Sequence, residues 1–223
     1  MSNRKKVVLI KGDGIGPEIA DAVVKILSAA NAPIDWIEHE AGLNCIKREP
    51  SGLPAETLQA IRETGVALKG PTTTPSGAGH SSVNVALRKS LELYANIRPS
   101  HSLPGLETRY INVDLIIVSE NVEDTYAGIE YMQTPDVSLG LKMISRPGSQ
   151  RVCRYAFEMA RQTGRKKVTV FHKANIHKLT DGLFLETFYN VAKQYPDVES
   201  SDILVDNLCM QLVKKPEQFD VLV

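Results

Sequence analysis

The chain has 223 residues, 43% of them hydrophobic and 23% charged, and its formal net charge is zero. This is the balance of a globular protein with one large domain or two small ones. Zero net charge argues against non-specific binding to nucleic acid or an anionic membrane, and no apolar run approaches the roughly 20 residues that a membrane-spanning helix needs.

In chain order, strands and helices alternate. The basic start, residues 1–6, is followed by only about four apolar residues, fewer than the roughly 7–15 of a secretory segment. Residues 7–11 read as a strand. Residues 17–30 repeat apolar side chains at Ile19, Ala20, Val23, Val24, Ile26 and Leu27, a helical period. Pro17 suits the first helical turn, where its missing N–H costs nothing. Residues 34–38 alternate as a strand, 55–64 form a helix and 66–68 a buried strand. Residues 71–81, rich in Thr, Pro, Ser and Gly, form a loop. Residues 83–93 predict a helix, 94–98 a strand ending at Pro99, and 113–118 a buried strand. Residues 127–145 alternate around Gly and Pro, which suggests antiparallel strands or a hairpin with edges that a second copy would cover. A helix over 150–162 ends at Gly164. Then come a strand at 167–172, a helix at 179–194, a strand at 201–205 and a short helix at 207–213. The last five residues, Phe219 to Val223, are an apolar run with no turn after it. They predict a strand with an unpaired edge, in a chain that is part of a longer protein. Repeated strand–helix units imply an α/β fold with a largely parallel sheet.

Cys45, Cys153 and Cys209 are far apart and lack metal-site spacing, so they read as reduced thiols of a cytoplasmic protein. Gly12-Asp-Gly-Ile-Gly-Pro-Glu18 follows a strand and opens a helix, but its third glycine falls one position early for a dinucleotide fingerprint. It is either a tight turn or a loop that lets a ligand approach the backbone. Ser82, Asn84 and Arg88 lie at the start of and along one helix, where N–H groups favour an anion. Arg98, at a strand end, adds a second guanidinium, and the four together suit a carboxylate, unless Ser82 is simply a cap and the arginines solvated. Lys173, Arg98, Glu120 and the Gly12 loop follow strands, where ligands sit in open α/β sheets, and Tyr126 follows Glu123 and Asp124. Asp206 begins a helix and reads by default as its N-cap.

Together these segments resemble the isocitrate/isopropylmalate dehydrogenase family along essentially the whole chain. The resemblance rests on the Gly12 run, Lys69-Gly-Pro-Thr-Thr-Thr-Pro, Leu87-Arg-Lys-Ser-Leu-Glu-Leu-Tyr-Ala-Asn-Ile-Arg-Pro, Glu120-Asn-Val-Glu-Asp-Thr-Tyr-Ala-Gly, His172-Lys-Ala-Asn-Ile and Val205-Asp-Asn. It implies a non-Rossmann fold of two parts. Residues 1–93 would be the first half of a large cofactor-side domain. Residues 94–223 would be a small domain whose segment at about 127–145 forms a homodimer.

The implied reaction is oxidative decarboxylation of isocitrate to 2-oxoglutarate, with NAD or NADP and Mg²⁺ or Mn²⁺. By the same resemblance, Ser82, Asn84, Arg88 and Arg98 would hold the substrate. Tyr126 would be the general acid at the enol. Lys173, from the neighbouring subunit, would be the base for the alcohol proton. Asp206 would be one metal ligand, and Thr74 and Asn175 would lie near the nicotinamide. Ser82 and Asn84 are similar to the isocitrate branch. Ser119 departs from the family pattern, which has an arginine there. The alternatives are a non-catalytic truncated or regulatory homologue and a dehydrogenase of a related 2-hydroxy diacid, homoisocitrate or isopropylmalate. The 223 residues alone are expected to be inactive.

Overall fold

The computed structural model describes residues 4–74 and 82–223. The chain divides into two compact units, Met1–Glu92 and Leu93–Val223.

In the first unit, β1 (Lys5–Ile10) runs between β2 (Ile34–His39) and β3 (Ala67–Lys69), parallel to both. α1 (Gly16–Ala29) follows β1, α2 (Ala55–Thr64) precedes β3, and α3 (Val83–Ser90) closes the unit. β1 is central, so Val7 to Ile10 are all buried rather than alternating. Val8, Ile10, Ala41, Leu53, Val83 and Leu87 form the core. α2 stops at Gly65, whose left-handed φ of 71° lets its N–H reach Ile61 O. The helix predicted over 83–93 ends three residues early, at Ser90.

The second unit holds a five-stranded sheet of order β4-β5-β10-β8-β9. Its strands are β4 (Ala95–His101), β5 (Asp114–Glu120), β8 (Lys167–His172), β9 (Glu199–Leu204) and β10 (Val221–Leu222). Only β4 is antiparallel to its neighbour; the other pairs are parallel. β6 (Asp124–Thr134) and β7 (Val137–Met143) form a separate antiparallel hairpin, beginning three residues before the predicted segment. α4 (Arg146–Thr163), α5 (Thr180–Ala192) and α6 (Val205–Lys214) complete the unit. Phe157, Phe188, Val168, Val170 and Val221 are fully buried at its centre, and the Phe157 ring stacks on Tyr195 at 5.1 Å.

Three expectations need correction. β4 runs through Pro99 instead of ending there. Pro99 pairs with Ile116 on an edge strand, where a missing N–H is tolerated. α4 starts at Arg146, four residues early. Ser145 caps it by accepting the Gly148 N–H at 3.1 Å, and Pro147 fits the first turn. The final apolar run is not an unpaired edge. β10 lies between β5 and β8, with Phe171 N–H donating to Val223 O and Val223 N–H to Thr169 O. An apolar run without alternation suits a strand covered on both faces. Arg165 secures its entry, donating to Asp114 O at 2.7 Å and Asp220 Oδ1 at 2.9 Å.

Candidate active site

In the first unit the glycine run is a packing device. Gly12 has φ 75°, and a Cβ there would lie 1.9 Å from Pro71 O; one on Gly70 would lie 2.2 Å from Lys11 O. Backbone stands where either Cβ would be, Pro71 against Gly12 and Lys11 against Gly70, which is the close approach a tight turn needs. Between these glycines Asp13, 8% exposed, accepts the N–H of Thr73 at 2.6 Å and of Leu43 at 2.9 Å. Burial pushes its carboxyl up, but the bonds from Thr73 and Leu43 outweigh this and hold it below the usual range. Asp13 thereby fixes the segment that ends in exposed Thr74. The threonine–glycine loop expected over 71–81 is described only to that point; residues 75–81 lie outside the described residues.

Ser82 occupies the cap position of α3 with no side-chain cap bond, so its hydroxyl is not spent on the helix. Asn84 and Arg88 follow, half-buried and four apart on one face. Half-buried Lys69 was not singled out by the sequence. Burial lowers its pKa, Asp13 opposes this and Arg88 adds to it. The signal for it was local: a lysine closing a strand just before Gly-Pro.

The second unit carries Arg98, Tyr126, Lys173, Asn175 and Asp206. Arg98 is exposed on β4, opposite Ile117. Tyr126 lies within β6, 49% exposed, at a cavity of about 200 Å³ that Ser119, Glu120, Lys142 and Asp181 also line. Lys142 Nζ stands 2.5 Å from Asp181 Oδ1 and 3.4 Å from Asp124 Oδ2. Burial alone would lower the Lys142 pKa; the two carboxylates outweigh it and raise it.

Lys173 follows β8. Its ammonium donates to Asp206 Oδ1 at 2.6 Å, and its backbone N–H donates to Asp181 Oδ2 at 2.6 Å. The Lys173 bond holds the Asp206 carboxyl below its usual range. Asp206 is not the N-cap: Leu204 is, and Asp206 sits second in α6. Next to Lys173, His172 Nδ1 accepts the Ala174 N–H at 3.1 Å and Nε2 lies 3.2 Å from Asp202 Oδ2. The acceptor role of Nδ1 puts the neutral ring's proton on Nε2, toward Asp202. Asn175 is exposed on the turn that follows.

Among the described residues no group of three His, Cys, Asp or Glu could hold a metal. Mg²⁺ takes six oxygen ligands, and Asp206 offers one carboxylate already bonded to Lys173. The described residues do not form the metal site by themselves.

The sequence profile described as isocitrate/isopropylmalate dehydrogenase matches residues 6–223. The chain belongs to that family. It is 52% identical to the isocitrate dehydrogenase [NADP] of Thermus thermophilus, over 99% of this chain and 45% of that protein. It is 49% identical to the chloroplastic 3-isopropylmalate dehydrogenase of Solanum tuberosum, over 100% of this chain and 62% of that one. Its structure matches the crystal structure of isocitrate dehydrogenase from Methylococcus capsulatus with a TM-score of 0.94 and 47% identity, over 98% of this chain and 66% of that one. The chain spans about half the length of the curated relatives it matches. The family's α/β fold, with mixed parallel and antiparallel strands, is the one described above. No helix of the described residues is long and apolar enough to cross a membrane.

Proposed function

We propose that the chain is the part of an NAD(P)-dependent isocitrate dehydrogenase that grips the substrate and moves its protons. Ser82 is the observation that carries this reading. Its hydroxyl stands at the N-terminal end of α3 without a capping bond, ahead of Asn84 and Arg88. A hydroxyl, an amide and a guanidinium suit the polar carboxylates of isocitrate better than the branched alkyl group of isopropylmalate. Arg98 would take a further carboxylate.

Lys173 would accept the alcohol proton, directly or through a water, as the carbon-bound hydrogen leaves as hydride. The nicotinamide, when bound, supplies the hydride acceptor. Thr74 and Asn175, both exposed and polar, would each lie near the nicotinamide, as the family resemblance implies. Loss of the β-carboxyl as CO₂ leaves an enol, and Tyr126 would deliver the proton that converts it to 2-oxoglutarate. Asp206 would lend one oxygen to a divalent ion shared with residues outside this set. The exposed β6–β7 hairpin, with Ile129, Tyr131, Met132 and Leu141 on its surface, would pair with a second copy in a cytoplasmic homodimer.

Ser119 favours a second reading, a regulatory homologue or one with altered diacid specificity. It lines the Tyr126 cavity with a small hydroxyl where the family pattern places an arginine. The test joins this chain to the part of the Thermus relative that it does not cover. Isocitrate, Mn²⁺ and NAD or NADP are added, and reduced cofactor is followed by absorbance. Turnover of isocitrate in preference to isopropylmalate is expected. A folded dimer that reduces neither cofactor would overturn the proposal in favour of the regulatory reading.

A further inference from the structure

His172 is a buried imidazole, 8% exposed, that the proposed chemistry does not use. It ends β8, one residue before Lys173. In the parallel pairing of β8 with β9, Asp202 stands opposite Val170, two residues before His172, so Asp202 and His172 share a face of the sheet. Their side chains meet there, with Nε2 3.2 Å from Asp202 Oδ2. Asp202 Oδ1 in turn accepts the Tyr189 hydroxyl of α5 at 2.5 Å. The Tyr189 bond, with help from His172, holds the Asp202 carboxyl below its usual range although burial pushes it up. An ionised carboxylate can only accept, so it orients the Nε2–H of the ring and leaves Nδ1 as an acceptor.

The acceptor faces the turn that carries Lys173. Nδ1 accepts the Ala174 N–H at 3.1 Å. That N–H belongs to the same peptide group as the Lys173 carbonyl, whose oxygen accepts the N–H groups of Ile176 and His177, each at 2.9 Å. A peptide group is planar, so holding it at both ends fixes its rotation and with it the direction of the chain at the Lys173 Cα. All these groups lie in one compact unit. They tie the Lys173 backbone to its own sheet, whichever subunit's substrate the amine serves. Rigid placement matters for proton transfer, because a misplacement of about 1 Å can cost on the order of 100-fold in rate.

We infer that His172 is a positioning residue for Lys173: as the neutral Nε2–H tautomer, oriented by Asp202 and Tyr189, it holds the peptide between Lys173 and Ala174 in place. The inference rests on the proposed function for the role of Lys173 as base, but the brace itself can be tested without it. None of His172, Asp202 and Tyr189 is assigned to substrate, cofactor or metal.

The test reads His172 and Ala174 by NMR in the 223-residue chain, with no substrate, cofactor or metal present. In mildly alkaline buffer the ring nitrogens are expected to show the proton on Nε2, and a proton on Nδ1 would overturn the inference. His172→Phe keeps a ring but no acceptor, and Ala174 amide exchange is expected to quicken on the order of tenfold. His172→Asn is expected to restore most of the protection, because an Asn oxygen can take the same backbone N–H two residues on. If the buried substitutions do not fold, Asp202→Ala replaces them, at a side chain that is 42% exposed. It is expected to cost the ring its Nε2–H preference and to quicken Ala174 exchange on the order of fivefold. Ala174 exchange within about twofold of the parent rate, in His172→Phe or in the Asp202→Ala that stands in for it, overturns the brace. In the joined dehydrogenase, His172→Phe is expected to lower kcat on the order of tenfold with KM for isocitrate little changed, and His172→Asn to recover most of it. A rise in KM alone counts against positioning. Absence of any dehydrogenase reaction in the unmutated joined enzyme refutes the functional reading, whereas flat Ala174 exchange refutes the brace.

Discussion

The two units solve the same packing problem to different degrees. The second places β10 between β5 and β8 and fills its core with Phe157, Phe188 and Tyr195. The first has a three-stranded sheet and a core without an aromatic ring. Its α1 buries only Gly16 and Ala20 and leaves Ile19 and Ile26 exposed. Among its described residues, β2 and β3 each pair on one side only. Stability follows buried apolar area. The unit that holds Tyr126 and Lys173 is therefore the sturdier one, and the unit that holds Ser82, Asn84 and Arg88 is the one whose order is easily lost.

The largest expected effect comes from the centre of the larger sheet. Leu222 is 0% exposed, and Leu222→Asp would bury an unpaired charge there. A loss of about 3–5 kcal/mol is expected in the second unit's urea transition. All seven tyrosines lie in the second unit and the single tryptophan, Trp36, lies in the first. Tyrosine absorbance should report the loss while the Trp36 fluorescence transition stays in place. If both signals shift together, the units are one cooperative block and the comparison breaks.

In the unmutated chain the same two signals sharpen the contrast. Trp36 fluorescence is expected to change at lower urea than tyrosine absorbance and far-ultraviolet circular dichroism. Coincident transitions would contradict this. A smaller effect is confined to the first unit. Gly12→Ala puts a Cβ 1.9 Å from Pro71 O at a positive φ, and a loss of about 1–3 kcal/mol is expected in the Trp36 transition only.

The smallest effect is a titration. Burial, with help from Asp202, pushes the Tyr189 phenol up to about 12. A phenol whose folded pKa exceeds its unfolded value adds stability that is complete below about pH 10 and is lost as pH rises through about 12. A late tyrosinate should appear near that pH by ultraviolet titration and vanish in Tyr189→Phe. Normal titration of every tyrosine would show that Tyr189 is not held by Asp202.

Most elements were legible from periodicity alone, because an apolar stripe or run marks the face that must be buried. The strand at residues 219–223 was also legible as a strand, but not its place. That depends on a crossover that puts the last strand between β5 and β8, and no local pattern records it. The site divided in the same way. Tyr126, Lys173 and Asp206 stood in motifs with recognisable spacing. Lys142 and Asp181 did not, because an ion pair between a hairpin strand and a distant helix leaves no spacing to read. Asp181 is an acidic residue in the first turn of α5, a common place for one. Its burial is what distinguishes it, and burial of a carboxylate is set by tertiary structure.

The central claim is that the sturdier unit carries the proton chemistry, with Lys173 as the base. The most direct test is Lys173→Met in the assembled dehydrogenase joined from this chain and the remainder of the Thermus relative, read as reduced cofactor formed from saturating isocitrate. A general base is worth roughly 10²- to 10⁴-fold. The account expects kcat to fall by on the order of 100-fold or more while the substrate KM changes little. Turnover within about tenfold of the unmutated enzyme would contradict it.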